Sequence, residues 1–372
     1  MKSNKFIKTY TKDENESTKW VKSVICDLPK FLQNMKDNTV PGRYKYSMSG
    51  DIKPNPSWGL GNTVFAVKTW YMLNQLNSFE IKEMGRFIKS FARKNGEISD
   101  PEIQKRSRKN RYRLALRSGD WNNIFGSQTI RAETRQAFAA LRAMGENPDR
   151  PYLNIPRSKK KIKKYIHSLD WNHPWGAGSH FSHLIFFLKN NTHLANSFDG
   201  NKTDLINYAF DEVTRYRQND GSWYDKYSND AQKVNGAMKM VTAYMAAGKT
   251  DLSMRDRLID HCLALQTDPD ACNNFNLLLV LYFCSNNDSY RKDEIREFCF
   301  NRLQIYRGFY WEDGGGFSFH KKHANSIYYG ARISQGFEEP DIHGTHLFLW
   351  GIVLITRILG LDEELQLSFP IT

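Results

Sequence analysis

Val213-Thr-Arg-Tyr-Arg-Gln-Asn-Asp-Gly-Ser-Trp-Tyr-Asp225 is the stretch on which the reading of the fold turns. An amphipathic run ends at Asn219-Asp220-Gly221, where glycine accepts the left-handed backbone that closes a helix. The aromatic that follows, Trp223, can fold back into the gap between neighbouring helices. The same layout returns in Phe87–Asp100, in the shorter Leu263-Ala-Leu-Gln-Thr-Asp-Pro-Asp270, and in the longer Leu303–Ser318 with its Asp313-Gly-Gly-Gly-Phe317 core. The junction is therefore a repeat.

Two kinds of helix alternate around these junctions. Runs beginning at Phe65, Leu184, Met238, Leu277 and Leu347 are apolar nearly all round, as in helices buried on every side. Ile81–Ala92, Leu205–Arg217 and Asp293–Tyr306 carry charge beside an apolar stripe and belong outside. Small polar segments open the apolar helices: Gly59-Leu-Gly-Asn62, Ser127-Gln-Thr129, Gly176–His180, Val234-Asn-Gly-Ala237, Ala271–Asn274 and His343-Gly-Thr-His346. Hairpins recurring at a period of about 57 residues predict an all-α chain closed into an (α/α)6 toroid. Residues 1–57 form an N-terminal extension packing on it, and 58–372 the toroid itself.

Gln218-Asn-Asp-Gly-Ser-Trp223 resembles the QxxDGSW-type repeat of terpenoid cyclases and protein prenyltransferases, shortened by one residue, and Asp313–Phe317 resembles their DGGF variant. The resemblance implies a bulky substrate in a central aromatic-lined funnel, and isoprenoid chemistry. Asp268-Pro-Asp270-Ala-Cys272 resembles the DxDD motif, which makes Asp270 the catalytic acid, although Ala271 replaces the fourth aspartate. It also resembles the Asp-x-Cys zinc pair of prenyltransferases. There the expected histidine position falls on Gly344, between His343 and His346. Zinc or magnesium is the ion such a resemblance allows; no complete ligand set is legible. Asp270 is equally well placed as a plain helix cap.

In such a toroid the inner-helix N-termini converge, and their free N–H groups favour anions. Trp58, Asn62, Arg131, Trp175, His180, Asn235, Lys239, His343 and His346 are then the lining, with Trp223 at the repeat junction. Arg43 and Tyr44 precede the first inner helix and can reach over the mouth. Tyr329 and Arg332, before the last one, can do the same. Tyrosine beside arginine suits proton abstraction next to a carboxylate. A carbohydrate-active toroid is thus the second expectation: a lyase, hydrolase or epimerase acting on an anionic glycan, with His180, Tyr329 and Arg332 at its centre.

The net charge of +13 is local. Seven cations without an intervening acid lie between Lys105 and Arg117, and six more between Arg157 and Lys164. Together they account for the whole excess, and each can meet an anionic surface or polymer. No nucleic-acid motif accompanies them. Met1–Lys8 lacks the apolar core of a signal peptide, and the five cysteines form no CxxC pair. The expected setting is the cytoplasm, with reduced thiols and no membrane span.

Overall fold

The computed structural model describes residues 12–52, 58–191, 201–265 and 270–371. Asp268, the junction acid of the DxDD-like motif, lies outside them. The described chain is mostly helical. Six helices carry the buried runs: α2 (Leu60–Met72), α5 (Ser127–Ala143), α7 (Pro174–Asn190), α9 (Asp230–Ala247), α11 (Ala271–Ser285) and α13 (Ile342–Leu359). Between and around them lie α1 (Lys12–Asn34), α3 (Ser78–Lys89), α4 (Pro101–Ser118), α6 (Lys159–His167), α8 (Lys202–Val213), α10 (Arg255–Ala264), α12 (Lys292–Arg307) and the short α14 (Asp362–Leu365). The strands are two-residue pieces: β1 (Tyr310–Trp311) pairs with β2 (Gly316–Phe317), and β3 (Ile327–Tyr328) with β4 (Ala331–Arg332), both antiparallel.

The six buried helices pack in sequence, α2 on α5, α5 on α7, α7 on α9, α9 on α11 and α11 on α13, and α13 returns to α2. Their contacts join residues at similar depth along neighbouring helices. Lys68 meets Gln136, Arg131 meets His180, Asn235 meets Asn273, and Phe65 stacks on His346. The six therefore run parallel, with their N-termini at a common end. Of these pairings α7 with α9 is the tightest fit. A Cβ on Gly236 would lie 2.7 Å from Pro174 Cβ, and one on Gly178 would lie 3.0 Å from Lys239 Cβ, so glycine is what permits the approach.

Five of the six starts are capped by a side chain, by different means, and α7 opens on Pro174 without one. Asp270 accepts from Asn273 N at 2.9 Å, and Asp341 from Gly344 N at 2.8 Å and Phe319 N at 2.7 Å. α2 lacks a local side-chain cap. The carboxylate of Asp100 supplies one, accepting from Gly59 N at 2.8 Å while also capping its own helix α4 through Glu102 N at 3.0 Å. Asn123 serves α5 in the same manner, accepting from Gln128 N at 3.0 Å.

The repeat junctions are plugs. At the first, Gly221 has φ +83° and Asp220 accepts from Ser222 N at 2.9 Å, which throws Trp223 back into the protein. There it is buried, with the Arg217 guanidinium 4.4 Å from its ring centroid. At the second, Phe317 packs against Trp20, Tyr310 and Phe348. α13 is long and apolar enough to cross a membrane, and it lies buried inside the protein.

Candidate functional site

The first and middle turns of the buried helices gather a set of cations. Lys68 sits in the middle of α2, only 2% exposed, with its ammonium on the Gln136 side chain. Arg131 and Arg135 come from successive turns of α5 and Lys239 from α9. Among the described residues none of these four forms an ion pair. Lys68 instead faces the Trp350 ring at 5.9 Å, Arg135 the Phe186 ring at 5.4 Å, and Lys239 the Trp175 ring at 5.8 Å. Burial, and then the charge of Arg135, lowers Lys68 to about 7 and Lys239 to about 8; burial lowers Arg135 itself to about 10. An interior charge without a counter-charge is unfavourable, so this grouping requires a reason.

Four histidines surround the cations, all neutral. Burial pulls His180 and His343 to about 3 and drives His183 and His346 well below the usual imidazole value, with Arg131, Arg135 and Lys68 adding repulsion. They differ in what their nitrogens do. His180 is fully engaged: Nε2–H donates to Asn122 O at 2.9 Å, and Nδ1 accepts from Arg131 and lies 3.1 Å from Tyr165 Oη. His343 meets Tyr46 Oη through Nδ1 at 3.2 Å and stacks on Phe65 at 4.4 Å. Among the described residues His183 Nδ1 and His346 Nδ1 have no hydrogen-bond partner, nor does Trp350 Nε1.

Tyr329 enters from a separate element. It and Gly330 form the two-residue turn between β3 and β4, with φ of +47° and +82°. That geometry fits the twist of a tight hairpin, but a tyrosine there is strained, and such strain concentrates at functional sites. α4 packs against β4, and Asn110 Nδ2 donates to Gly330 O at 2.6 Å, which fixes the turn from outside. Burial, with the neighbouring Glu133, raises the Tyr329 phenol, and the Arg135 charge opposes this. Glu133 is itself buried and raised. One of its oxygens accepts from Asp100 N at 3.3 Å and Gln104 Nε2 at 3.1 Å, and the other has no partner among the described residues.

The residues anticipated from the sequence divide accordingly. Asp270, His180, His343, His346, Asn235, Trp175 and Tyr329 lie at this end, with Asn235 accepting from Asn276 Nδ2 at 2.8 Å. Asp270 works as the cap of α11, its Oδ1 taken by Asn273 N and Nδ2. Arg43 is buried and committed to Asp37, Asp51 and the Trp58 carbonyl. Tyr44 is buried and accepts from Trp70 Nε1 at 2.9 Å, and Trp58 lies beneath Arg106 at 5.2 Å. Trp223 is the junction plug, and Arg332 is exposed beside Gln335. Lys68, Arg135, Glu133 and His183 are the members the sequence reading left out of its site. The signal available for the first was a lysine inside the otherwise apolar Phe65-Ala-Val-Lys68-Thr-Trp70.

Among the described residues no three His, Cys, Asp or Glu side chains gather in a metal-binding group. The Asp270, Cys272 and His343 or His346 set does not fit zinc or magnesium. Asp270 is held as a cap, His343 is tied to Tyr46, and burial pushes the Cys272 thiol up to about 12. The two basic runs lie on α4 and on and just before α6, mostly exposed, although Arg111 is half-buried under the α4–α5 loop. No family model, curated protein or solved structure matches the chain.

Proposed function

We propose that the chain is an (α/α)6 toroid whose parallel inner helices surround a site for an anionic substrate, and that it acts on a uronate-type glycan by removing the proton next to the carboxylate. The observation that carries this is the grouping of Lys68, Arg131, Arg135 and Lys239 without ion pairs. The sequential packing of α2 through α13 and its return to α2 supports the toroid. A carboxylate lying against Arg135 and Lys239 is neutralised there, which acidifies its α-hydrogen. Lys68, lowered to about 7 and so partly neutral near that pH, takes that proton. In elimination the bond from the β-carbon to the glycosidic oxygen breaks. The electron pair of the C–H bond forms the new double bond, and the raised Tyr329 phenol gives its proton to the departing oxygen. Returning the proton to the opposite face instead gives epimerisation.

The same cations weigh against a terpenoid-cyclase or prenyltransferase-like reaction. A unit positive charge ~6 Å from a carbocation raises its energy by about 3 kcal/mol at an effective dielectric of ~20. The aromatic rings at this end do not offset several such charges. The test is incubation with polyuronates and sulfated uronate glycans, following the unsaturated uronate by its ultraviolet absorbance and epimerisation by proton exchange from deuterated water. Product from a uronate polymer supports the proposal. Turnover of an isoprenoid diphosphate with none from any uronate overturns it.

A further inference from the structure

Helix α4 carries a feature that the central site does not use. Lys105, Arg108, Lys109, Tyr112, Arg113, Leu116 and Arg117 recur at spacings of three and four, so they share one face, and that face is exposed. Leu116 is 73% exposed, and Phe125, on the loop that follows, is 83% exposed. Tyr112, on the same face, is 41% exposed. The opposite side of α4 is held to the protein by Ile103, Ser107 and Ala115, all buried.

We infer that this face docks the protein on an anionic lipid bilayer. Two independent features of one surface lead there. Five exposed cations with no acid among them match a negatively charged headgroup layer, and the exposed Leu116 and Tyr112 side chains on the same face match the apolar zone just beneath it. A soluble anionic polymer would engage the cations and leave Leu116 in water, so the aliphatic exposure decides between the two. Docking is peripheral: α4 lies on the surface of the fold, and the apolar α13 stays inside. This inference stands apart from the proposed glycan chemistry, since none of its residues belongs to the central cation group.

The test is co-sedimentation of the full chain with vesicles of phosphatidylcholine alone, and with about 30 mol % phosphatidylglycerol added. The expected result is binding to the anionic vesicles, little to the neutral ones, and loss of binding as salt rises. Leu116→Asp with Tyr112→Asp should weaken vesicle binding at least about tenfold while leaving the thermal midpoint unchanged, because both side chains already face water. Two results overturn the proposal: no vesicle binding by the wild type, or equal binding by wild type and double variant. Retention of a soluble polyanion by both proteins without vesicle binding would assign the face to a polymer instead.

Discussion

Lys239 holds its ammonium 5.8 Å from the ring centroid of Trp175, so a cation of α9 is paired with the π face of an α7 side chain where a carboxylate would be expected. The contact ties the half-buried ammonium to the exposed Trp175 ring, while the Lys239 charge also feels Arg135. In the proposed function a substrate carboxylate supplies the missing counter-charge.

Stability should therefore depend on pH in the alkaline range. The unfolded chain keeps these lysine protons to about 10.5, whereas the folded chain releases them at about 7 for Lys68 and about 8 for Lys239. Between those values the unfolded state binds more protons, so stability rises with pH and is lost as pH falls through the folded values. Added sulfate should raise the thermal midpoint more at about pH 6.5 than at about pH 9.5, because the anion meets charged lysines only at the lower pH. Melting curves at both values, with and without sulfate, check this.

A second dependence lies on the acid side. His180 and His343 have folded values near 3, against 6.5 ordinarily. Their contribution is complete above 6.5 and is lost as pH falls towards 3. The denaturant midpoint should drop steadily below about pH 6.5. A His180→Gln and His343→Gln double variant, although weaker at neutral pH, should show a flatter slope.

Asp270→Asn should leave both fold and turnover in place, because asparagine caps a helix about as well as aspartate. Asp270→Ala should lose about 1 kcal/mol of stability. Chemical denaturation of the three proteins, with product formation measured alongside, separates a cap from an acid. A collapse of turnover in the asparagine variant at unchanged stability would restore the acid role that the DxDD-like motif implies.

Tyr329→Phe removes the phenolic proton and keeps the ring in its strained turn. Folding should be preserved and turnover should fall by about 10²-fold or more. Gly236→Ala should act the other way, destabilising by about 1–3 kcal/mol by forcing α7 from α9, with little direct effect on chemistry in what remains folded. Circular dichroism melts and initial rates on both variants check the contrast.

Much of the scaffold was legible because each part of it is local. Apolar helices, amphipathic helices and Asp-Gly junctions are written in windows of ten to twenty residues, and Trp223 and Phe317 plug their gaps as their positions imply. The site was less legible because closing α13 onto α2 creates it. Lys68 and Arg135 lie 67 positions apart, and Arg135 sits in a segment of mixed charge that gives no sign of burial. Arg43 was expected over the mouth from its place before α2. Asp37 and Asp51, on either side of it, draw it inside instead. The cap of α2 was equally hidden, since Asp100 supplies it from beyond the next helix.

The most direct measurement compares Arg135→Met with wild type in two readouts, the thermal midpoint without ligand and the affinity for a uronate oligosaccharide by calorimetry. Removing a buried, unpaired charge while keeping much of its volume should leave the midpoint unchanged or higher, because no ion pair is lost. Affinity should fall at least about tenfold, since a close charge–carboxylate contact is worth more than about 1.4 kcal/mol. A lower midpoint with affinity unchanged would contradict the account, because Arg135 would then be holding the fold rather than the anion.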